Sequence, residues 1–545
     1  MGVVFAVIAF RLVDLQALER GRYAALGEHQ RLRTVTVPAD RGAIFDRNGN
    51  DLAVSVDVKS VWADPRVIER PAEYAAKLAP VVGVDEAELE ARLSQRNLAF
   101  VYIARKVTDD VVRGVRALKL PGVHFVAETK RFYPKGDLAA PVLGLVGLDN
   151  NGLAGVESGY EKQLAGRAGR MVVERDPAGL DLPNGERRGT APQRGTDLVL
   201  TLDQSLQYAV ERELVAAVDQ HNAVGGMALV ADTRTGDILA MATVDGAVRD
   251  QPVRPALASE HNRPITDVFE PGSTNKVITV AGAIEEGLVH SDTVLDVPNS
   301  IRVDDKQFDD VESHAPKLSV ADILRESSNV GAIKIAHLLG KERFDRYQRA
   351  FGFGSLSGVR FPGESPGILL PVNQYNNTSL YSIPIGNGIA VTALQMLDAY
   401  MTFANHGDAR APRLVRATID SEGTEHPVPL VPTRRVVSEA TAAEMTGMLE
   451  QVVSPTGTGA KAAIAGYRVA GKTGTARKPP YEHPPFKYVA SFVGFAPADA
   501  PALAAIVVID APSSSSIFAS EVAAPVFSRI MSYALGVEHV PPSGP

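Results

Sequence analysis

Three apolar stretches near the C-terminus limit what this chain can fold into. They are "YRVAGKTGTA" (Tyr467–Ala476), "YVASFVGFAPA" (Tyr488–Ala498) and "LAAIVVIDAP" (Leu503–Pro512). Each has the length and composition of a strand bounded by turn residues. Far upstream, "GMALVAD" (Gly226–Asp232) and "ILAMATV" (Ile238–Val244) flank "TRTGD", which is a hairpin signature. Between the two groups the pattern is mostly helical. Strands at both ends of a helical middle predict one sheet assembled from distant segments, with helices on its faces. "VAAPVFSRIMSYALG" (Val522–Gly536) closes as a helix. "TLDQSLQYAVERELVAAVDQHN" (Thr201–Asn222) forms another, with Asp203 near its cap.

Within this frame stands "EPGSTNKVITVAGAIEEG" (Glu270–Gly287). Pro271 and Gly272 break the incoming chain, apolar residues then recur at helical spacing, and Gly287 offers a stop. Residues three apart share a helix face, so Ser273 and Lys276 can touch. A Ser beside an unprotonated Lys is an activated nucleophile. Alone, the pair reads more readily as an N-cap and a solvated amine than as chemistry. Two later stretches change the balance: "ESSNVG" (Glu326–Gly331) and "GKTGTA" (Gly471–Ala476). The order S-x-x-K, S-x-N, K-T-G supplies what acyl transfer from a peptide carbonyl needs. Ser273 is the expected nucleophile, favoured by the positive end of its helix. Lys276 is the expected base. A free Lys titrates near ~10.4, so burial and the charge of Lys472 must make it neutral. Ser327 would relay a proton to the leaving amine, and Asn329 would hold Lys276 and the substrate amide. The backbone N–H groups of Ser273 and Thr475 would form an oxyanion hole. Thr473 and Thr475, flanking Gly474, face one way on a strand and suit a substrate carboxylate. Strict alternation turns Lys472 to the other face, so a bulge or the length of its side chain must bring it in.

The 545 residues allow two to four domains. The net charge of −8, with scattered basic residues, gives no sign of a nucleic-acid partner. The absence of Cys excludes disulfides, thiolate ligands and a Cys nucleophile. No His pattern suggests a metal, and no cofactor is expected. "MGVVFAVIAF" (Met1–Phe10) is about half the ~20 residues a span requires and lacks signal-peptide features. It reads as a membrane anchor whose first half is missing. An amphipathic helix (Leu12–Arg33) is expected to follow, then strands and hairpins over Thr34–Pro65 around the Asn48-Gly49 turn. Residues 66–120 have a helical period. "NGERRGTAPQRG" (Asn184–Gly195) is polar and reads as a linker. The division is thus an anchor at 1–20, a mixed N-terminal domain at 21–190 and a catalytic domain at 191–545.

The three motifs in this order resemble those of a class B penicillin-binding protein. The resemblance extends over nearly the whole chain. "PADRGAIFDRNGNDLA" (Pro38–Ala53) is similar to the R-G-x-I-x-D-R-N-G motif of the family's N-terminal pedestal. "RFYPKGDLAAPVLGLVG" (Arg131–Gly147) and "GLAGVESGYEKQLAGRAG" (Gly152–Gly169) are similar to further pedestal motifs. Arg41, Asp46 and Arg47 are read here as a structural ion-pair network. "PIGNGIAVTALQM" (Pro384–Met396), "FANHG" (Phe403–Gly407) and Thr274–Pro298 most resemble the septal, FtsI-type branch. Asn387 stands where the family suggests Gln, and "SIFASEVAAPVF" (Ser516–Phe527) lacks an expected Gly-Gly.

The resemblance implies an α/β (α+β) transpeptidase fold, an antiparallel sheet flanked by helices, with an elongated pedestal and a single-span anchor in the cytoplasmic membrane. It implies an extracytoplasmic D,D-transpeptidase that cross-links peptidoglycan stem peptides ending in D-Ala-D-Ala. Ser273 would be acylated by the stem or by β-lactams, and an FtsW-type glycosyltransferase would be a division partner. The rival readings are a side-wall transpeptidase, a β-lactamase or carboxypeptidase, a β-lactam sensor, and a non-catalytic division scaffold.

Overall fold

The apolar strands expected from sequence pair into one sheet. We label them β1 (Gly225–Asp232), β2 (Ile238–Asp245), β3 (Ala470–Arg477), β4 (Tyr488–Ala496) and β5 (Leu503–Asp510). The computed structural model describes residues 1–14, 19, 32–174, 185, 187–247, 253–257, 261–304, 306–479, 481, 484–513 and 516–543. The order is β2-β1-β5-β4-β3, with the short strand Arg254–Pro255 beyond β2 and β3 at the open edge. All these pairings are antiparallel.

The strands are apolar throughout because both faces are covered. Six helices matter: α1 (Gln204–Gln220), α2 (Lys276–Glu285), α3 (Asn329–Leu339), α4 (Ala393–Ala404), α5 (Glu439–Val453) and α6 (Ala524–Val537). The period of two sorts the side chains between two cores. Met227, Leu229, Ile506 and Val508 join α2, α4 and α5 in one. Ala228, Val230, Val507 and Ile509 join Leu206, Val210 and Phe527 of α1 and α6 in the other. Each buried Leu, Ile or Phe contributes about 1.5–3 kcal/mol. Asp203 caps α1 as expected, accepting from the Leu206 N–H at 2.8 Å.

The N-terminal part is built around the long strand Asp51–Ala63, paired with Val101–Val107 and Val123–Phe132. Val101–Val107 is a strand inside the stretch read as helical, flanked by helices Glu86–Leu93 and Asp109–Ala117. The polar stretch read as a linker also differs. Arg187–Thr190 pairs with Gly169–Glu174, which pairs in turn with Leu32–Val37. Its polarity reflects an exposed edge strand rather than a free connection. Ile44–Phe45 runs parallel to Asp197–Leu200, which pairs with Val415–Ile419, so one sheet crosses the border read at 190.

Arg41, Asp46 and Arg47 do three separate jobs instead of forming one network. The Arg41 guanidinium is buried against Glu157 (2.6 Å) and Glu161 (2.6 Å). Asp46 accepts the backbone N–H groups of Asn48 and Asn50 in the Asn-Gly turn (2.8 Å each). Arg47 pairs with Glu538 behind α6 (2.7 Å). Near the start of the chain, Gly2–Val13 is one apolar helix with every residue exposed. Its 12 residues span about 18 Å. No helix among the described residues is long and apolar enough to cross a membrane. Most of the amphipathic helix expected at Leu12–Arg33 lies outside the described residues.

Candidate active site

Ser273 lies on a 3-10 turn, Gly272–Asn275, that leads into α2 at Lys276. The expected helix therefore begins at Lys276 and not at Ser273. The turn packs directly on β3. A Cβ on Gly474 would sit 2.8 Å from Pro271 O and 2.7 Å from Ser491 Oγ. The glycine of K-T-G is therefore required by the approach of the turn that carries Ser273. From the other side, Gly386 (φ +82°) closes on Gly272, whose N–H donates to Gly386 O at 3.2 Å. We expect Gly474→Ala to push the turn off β3 and lower the rate of serine acylation by about 100-fold, since a displacement near 1 Å costs that much. Acylation kinetics of the variant check this; a rate within threefold of wild type would refute it.

Lys276 and Lys472 are both fully buried. Lys276 Nζ donates to Ser327 O (2.5 Å) and Ser327 Oγ (3.3 Å), and Lys472 Nζ lies 2.9 Å from Ser327 Oγ. Ser327 thus bridges the two amines. Burial, and then the charge of Lys472, hold Lys276 well below the ordinary lysine range, against the opposing pull of Asp310. Burial brings Lys472 down to about 7. Lys276 is thus held toward the neutral amine, and Lys472 gives up its proton as pH rises through about 7.

The question of strand alternation at Lys472 is answered by its length. The β3–β4 register runs unbroken from Ala470↔Phe495 to Arg477↔Tyr488, so there is no bulge. The lysine instead curls around the free edge of β3, and its Nζ comes within 3.3 Å of Thr473 O and 3.4 Å of Thr473 Oγ1. Thr473 Oγ1 also meets Thr458 Oγ1 at 3.3 Å. Thr475 Oγ1 accepts the Ala519 N–H at 3.0 Å, which leaves its own proton to donate. That contact is made by the segment lacking the expected Gly-Gly.

Ser327 has φ +60°. Helix Val320–Arg325 ends in a Schellman motif: the Ser327 N–H donates to Leu324 O (3.2 Å) and the Ser328 N–H to Ile323 O (2.9 Å). Ser327 occupies the left-handed position that glycine favours, at a cost of about 1–2 kcal/mol. The strain turns both its carbonyl and its hydroxyl toward the lysines.

Two expected contacts do not form. Ser273 Oγ has no hydrogen-bond partner among the described residues, because Lys276 is committed to Ser327. Asn329 does not reach Lys276. Its Nδ2 donates to Asp309 O at 2.8 Å, and its N–H goes to Asp310. Thr458 and Asp310 had no motif to mark them. Beside the turn that carries Ser273 lies a cleft of about 460 Å³, lined in part by Glu270, Gly388, Ala476, Arg477 and Tyr481.

Residues 226–532 match the model of the penicillin binding protein transpeptidase domain, and residues 36–200 that of the penicillin-binding protein dimerisation domain. The chain is 34% identical over 554 residues to peptidoglycan D,D-transpeptidase FtsI of Escherichia coli (strain K12), covering 99% of this chain and 91% of the relative. It is 32% identical to stage V sporulation protein D of Bacillus subtilis (strain 168), covering 97% and 83%. Among solved structures, a peptidoglycan synthetase from Bifidobacterium adolescentis superposes with a TM-score of 0.76 at 28% identity, covering 94% of this chain and 98% of that one. Penicillin binding protein 3 from Mycobacterium tuberculosis, complexed with aztreonam, superposes with a TM-score of 0.71 at 28% identity, covering 94% and 99%.

Proposed function

Since this chain belongs to the class B penicillin-binding proteins and is a peptidoglycan D,D-transpeptidase of serine type, we propose that Ser273 is its acylated nucleophile and that Lys276, Ser327, Asn329 and Lys472 complete the catalytic set. The observation that carries this assignment is the buried Lys276–Ser327–Lys472 chain of hydrogen bonds. Neutral Lys276 takes the Ser273 proton as Oγ attacks the carbonyl of the penultimate D-Ala. The oxyanion meets the N–H groups of Ser273 and Thr475. Ser327 passes a proton to the departing D-Ala amine, and an amine of a second stem then attacks the ester. Thr473, Thr475 and cationic Lys472 hold the terminal carboxylate, with Gly474 admitting the close approach. The Ser273–Lys276 hydrogen bond forms once substrate is in place, as catalytic contacts often tighten only in the complex.

The test is labelling of the purified chain with a fluorescent penicillin, read by intact mass and peptide mapping. A lasting adduct on Ser273 is expected. Rapid turnover of the drug without an adduct would point to a hydrolase instead. The pH profile is a second check. Lys276 gains its lone pair as pH rises through its lowered pKa, while Lys472 loses its charge above about 7. The second-order acylation constant should therefore be bell-shaped, with its alkaline limb near 7. A rate that climbs steadily to about pH 9 would assign the carboxylate to another cation.

The finer role we propose is septal, in division, because the similarity to FtsI runs over the whole chain. With that role we also propose an FtsW-type glycosyltransferase as the division partner, on the similarity to FtsI. The two family matches support a pedestal ahead of a transpeptidase part, the division read at 21–190 and 191–545, with the dimerisation match running ten residues past that border, to 200. The exposed apolar helix Gly2–Val13 supports attachment to the cytoplasmic membrane, with the catalytic part outside it. Depletion of the protein giving filamentous cells would support the septal role; rounded cells would mark a side-wall enzyme.

A further inference from the structure

The turn that presents Ser327 and Asn329 is held from a segment that carries none of the three motifs. Strands Ser300–Val303 and Lys306–Asp309 form a small hairpin, and Asp310 follows directly. Its Oδ1 accepts the backbone N–H groups of Asn329 and Val330 (3.1 Å for Val330), and its Oδ2 accepts the Ser328 hydroxyl at 2.7 Å. One carboxylate thus caps α3 and fixes three consecutive residues after Ser327. Asp309 O takes the Asn329 side chain.

Asp310 is itself held. His314 Nε2 lies 2.6 Å from Asp310 Oδ2, and His314 Nδ1 lies 2.8 Å from Ala315 O. Both ring nitrogens face acceptors, an arrangement that favours the doubly protonated imidazolium. The two side chains are 6% and 2% exposed. Burial opposes the charge, but the bonds to Ala315 and Asp310 outweigh it and raise the His314 pKa, helped by Glu326.

We propose that Asp310 and His314 form a positioning unit for acylation: His314 fixes Asp310, and Asp310 keeps Ser327 and Asn329 in register with the two lysines. The unit acts in two ways. Mechanically, it clamps the residues following a strained Ser327, whose carbonyl and hydroxyl would otherwise drift from Lys276. Electrostatically, the charge of Asp310 favours the protonated form of Lys276. The imidazolium and the N-terminus of α3 take up that charge, so Lys276 stays neutral. The proposal rests on the reading of Ser327 as the proton relay.

The test is made on the full chain with Asp310→Asn, His314→Gln and the double variant. Rapid-mixing kinetics with a fluorescent penicillin separate the non-covalent dissociation constant from the acylation rate constant. Each single variant should lower the acylation rate constant by about 10- to 100-fold. The dissociation constant should barely move; the melting temperature should fall because a buried pair is broken, so the acylation rate constant is read on the folded fraction. The losses should be far from multiplicative, with the double variant close to the worse single one, because the two residues act as a unit. All three variants should still carry the adduct on Ser273. Unchanged acylation, multiplicative losses, or a loss matched by a lower folded fraction would each overturn the proposal. A wild-type chain that takes no label at all would instead refute the assignment of Ser273. Gln307→Ala, exposed on the same hairpin, is the control and should behave as wild type.

Discussion

Ser273→Ala should abolish covalent labelling by penicillin and lower transpeptidation by at least about four orders of magnitude, the scale seen when an acyl-enzyme nucleophile is removed. The fold should not notice. Ser273 is only half-buried and its hydroxyl holds nothing in place, so no buried donor is orphaned. The surrounding turn is fixed by backbone groups: Gly272 N–H on Gly386 O, and Thr274 Oγ1 on Pro271 O at 2.8 Å. The variant should therefore melt with the wild type and still bind a β-lactam non-covalently through Lys472 and the β3 threonines. Intact mass after exposure to drug, beside a melting curve, is the measurement. An adduct surviving on the variant would place the nucleophile elsewhere.

The largest effect on stability should come from the pedestal. Glu157 is fully buried between Arg41 and Arg131, at 2.6 Å from each. Arg41 reaches further to Glu161, to Asn150 O (3.0 Å) and to Glu157 O (2.6 Å). Arg131 reaches Gly42 O at 2.7 Å. Glu157→Ala leaves two buried guanidinium groups to share the half-exposed carboxylate of Glu161. Breaking such a set costs about 3–5 kcal/mol. The urea midpoint should fall accordingly with an unchanged slope. The folded fraction should acylate normally, because none of these residues touches the cleft. A shift under ~1 kcal/mol would mean that the cavity admits water and solvates the charges.

What could be read from the residues alone was what is local. The β-strand runs, the Asp203 cap and the S-x-x-K and K-T-G motifs announce themselves within a few positions of their own sequence. Three kinds of feature escaped. Strand Arg187–Thr190 has the composition of a loop because it sits at an exposed edge, where pairing is decided by a partner and not by apolar pattern. Asp310 is joined to the backbone of Asn329 by tertiary folding alone, so its spacing carries no signal, and the Asn329 side chain expected at Lys276 goes to Asp309 O instead. The reach of Lys472 depends on the free edge of β3, and strand alternation cannot show which strand of a sheet lies outermost.

The short parallel pairing of Ile44–Phe45 with Asp197–Leu200 bears on how the molecule carries load. Around it, Asn48 Nδ2 donates to Asp203 at 2.7 Å, Gln204 N–H reaches Asp46 at 3.2 Å and Arg47 meets Glu538. The N-terminal part is joined to the catalytic body by a ladder of main-chain bonds, not by a swivel. A pull or twist at the N-terminal end is delivered straight into the strand ahead of α1 instead of being lost in a slack joint. Ile44–Phe45 and the strand that leads into α1 thus act as one mechanical piece.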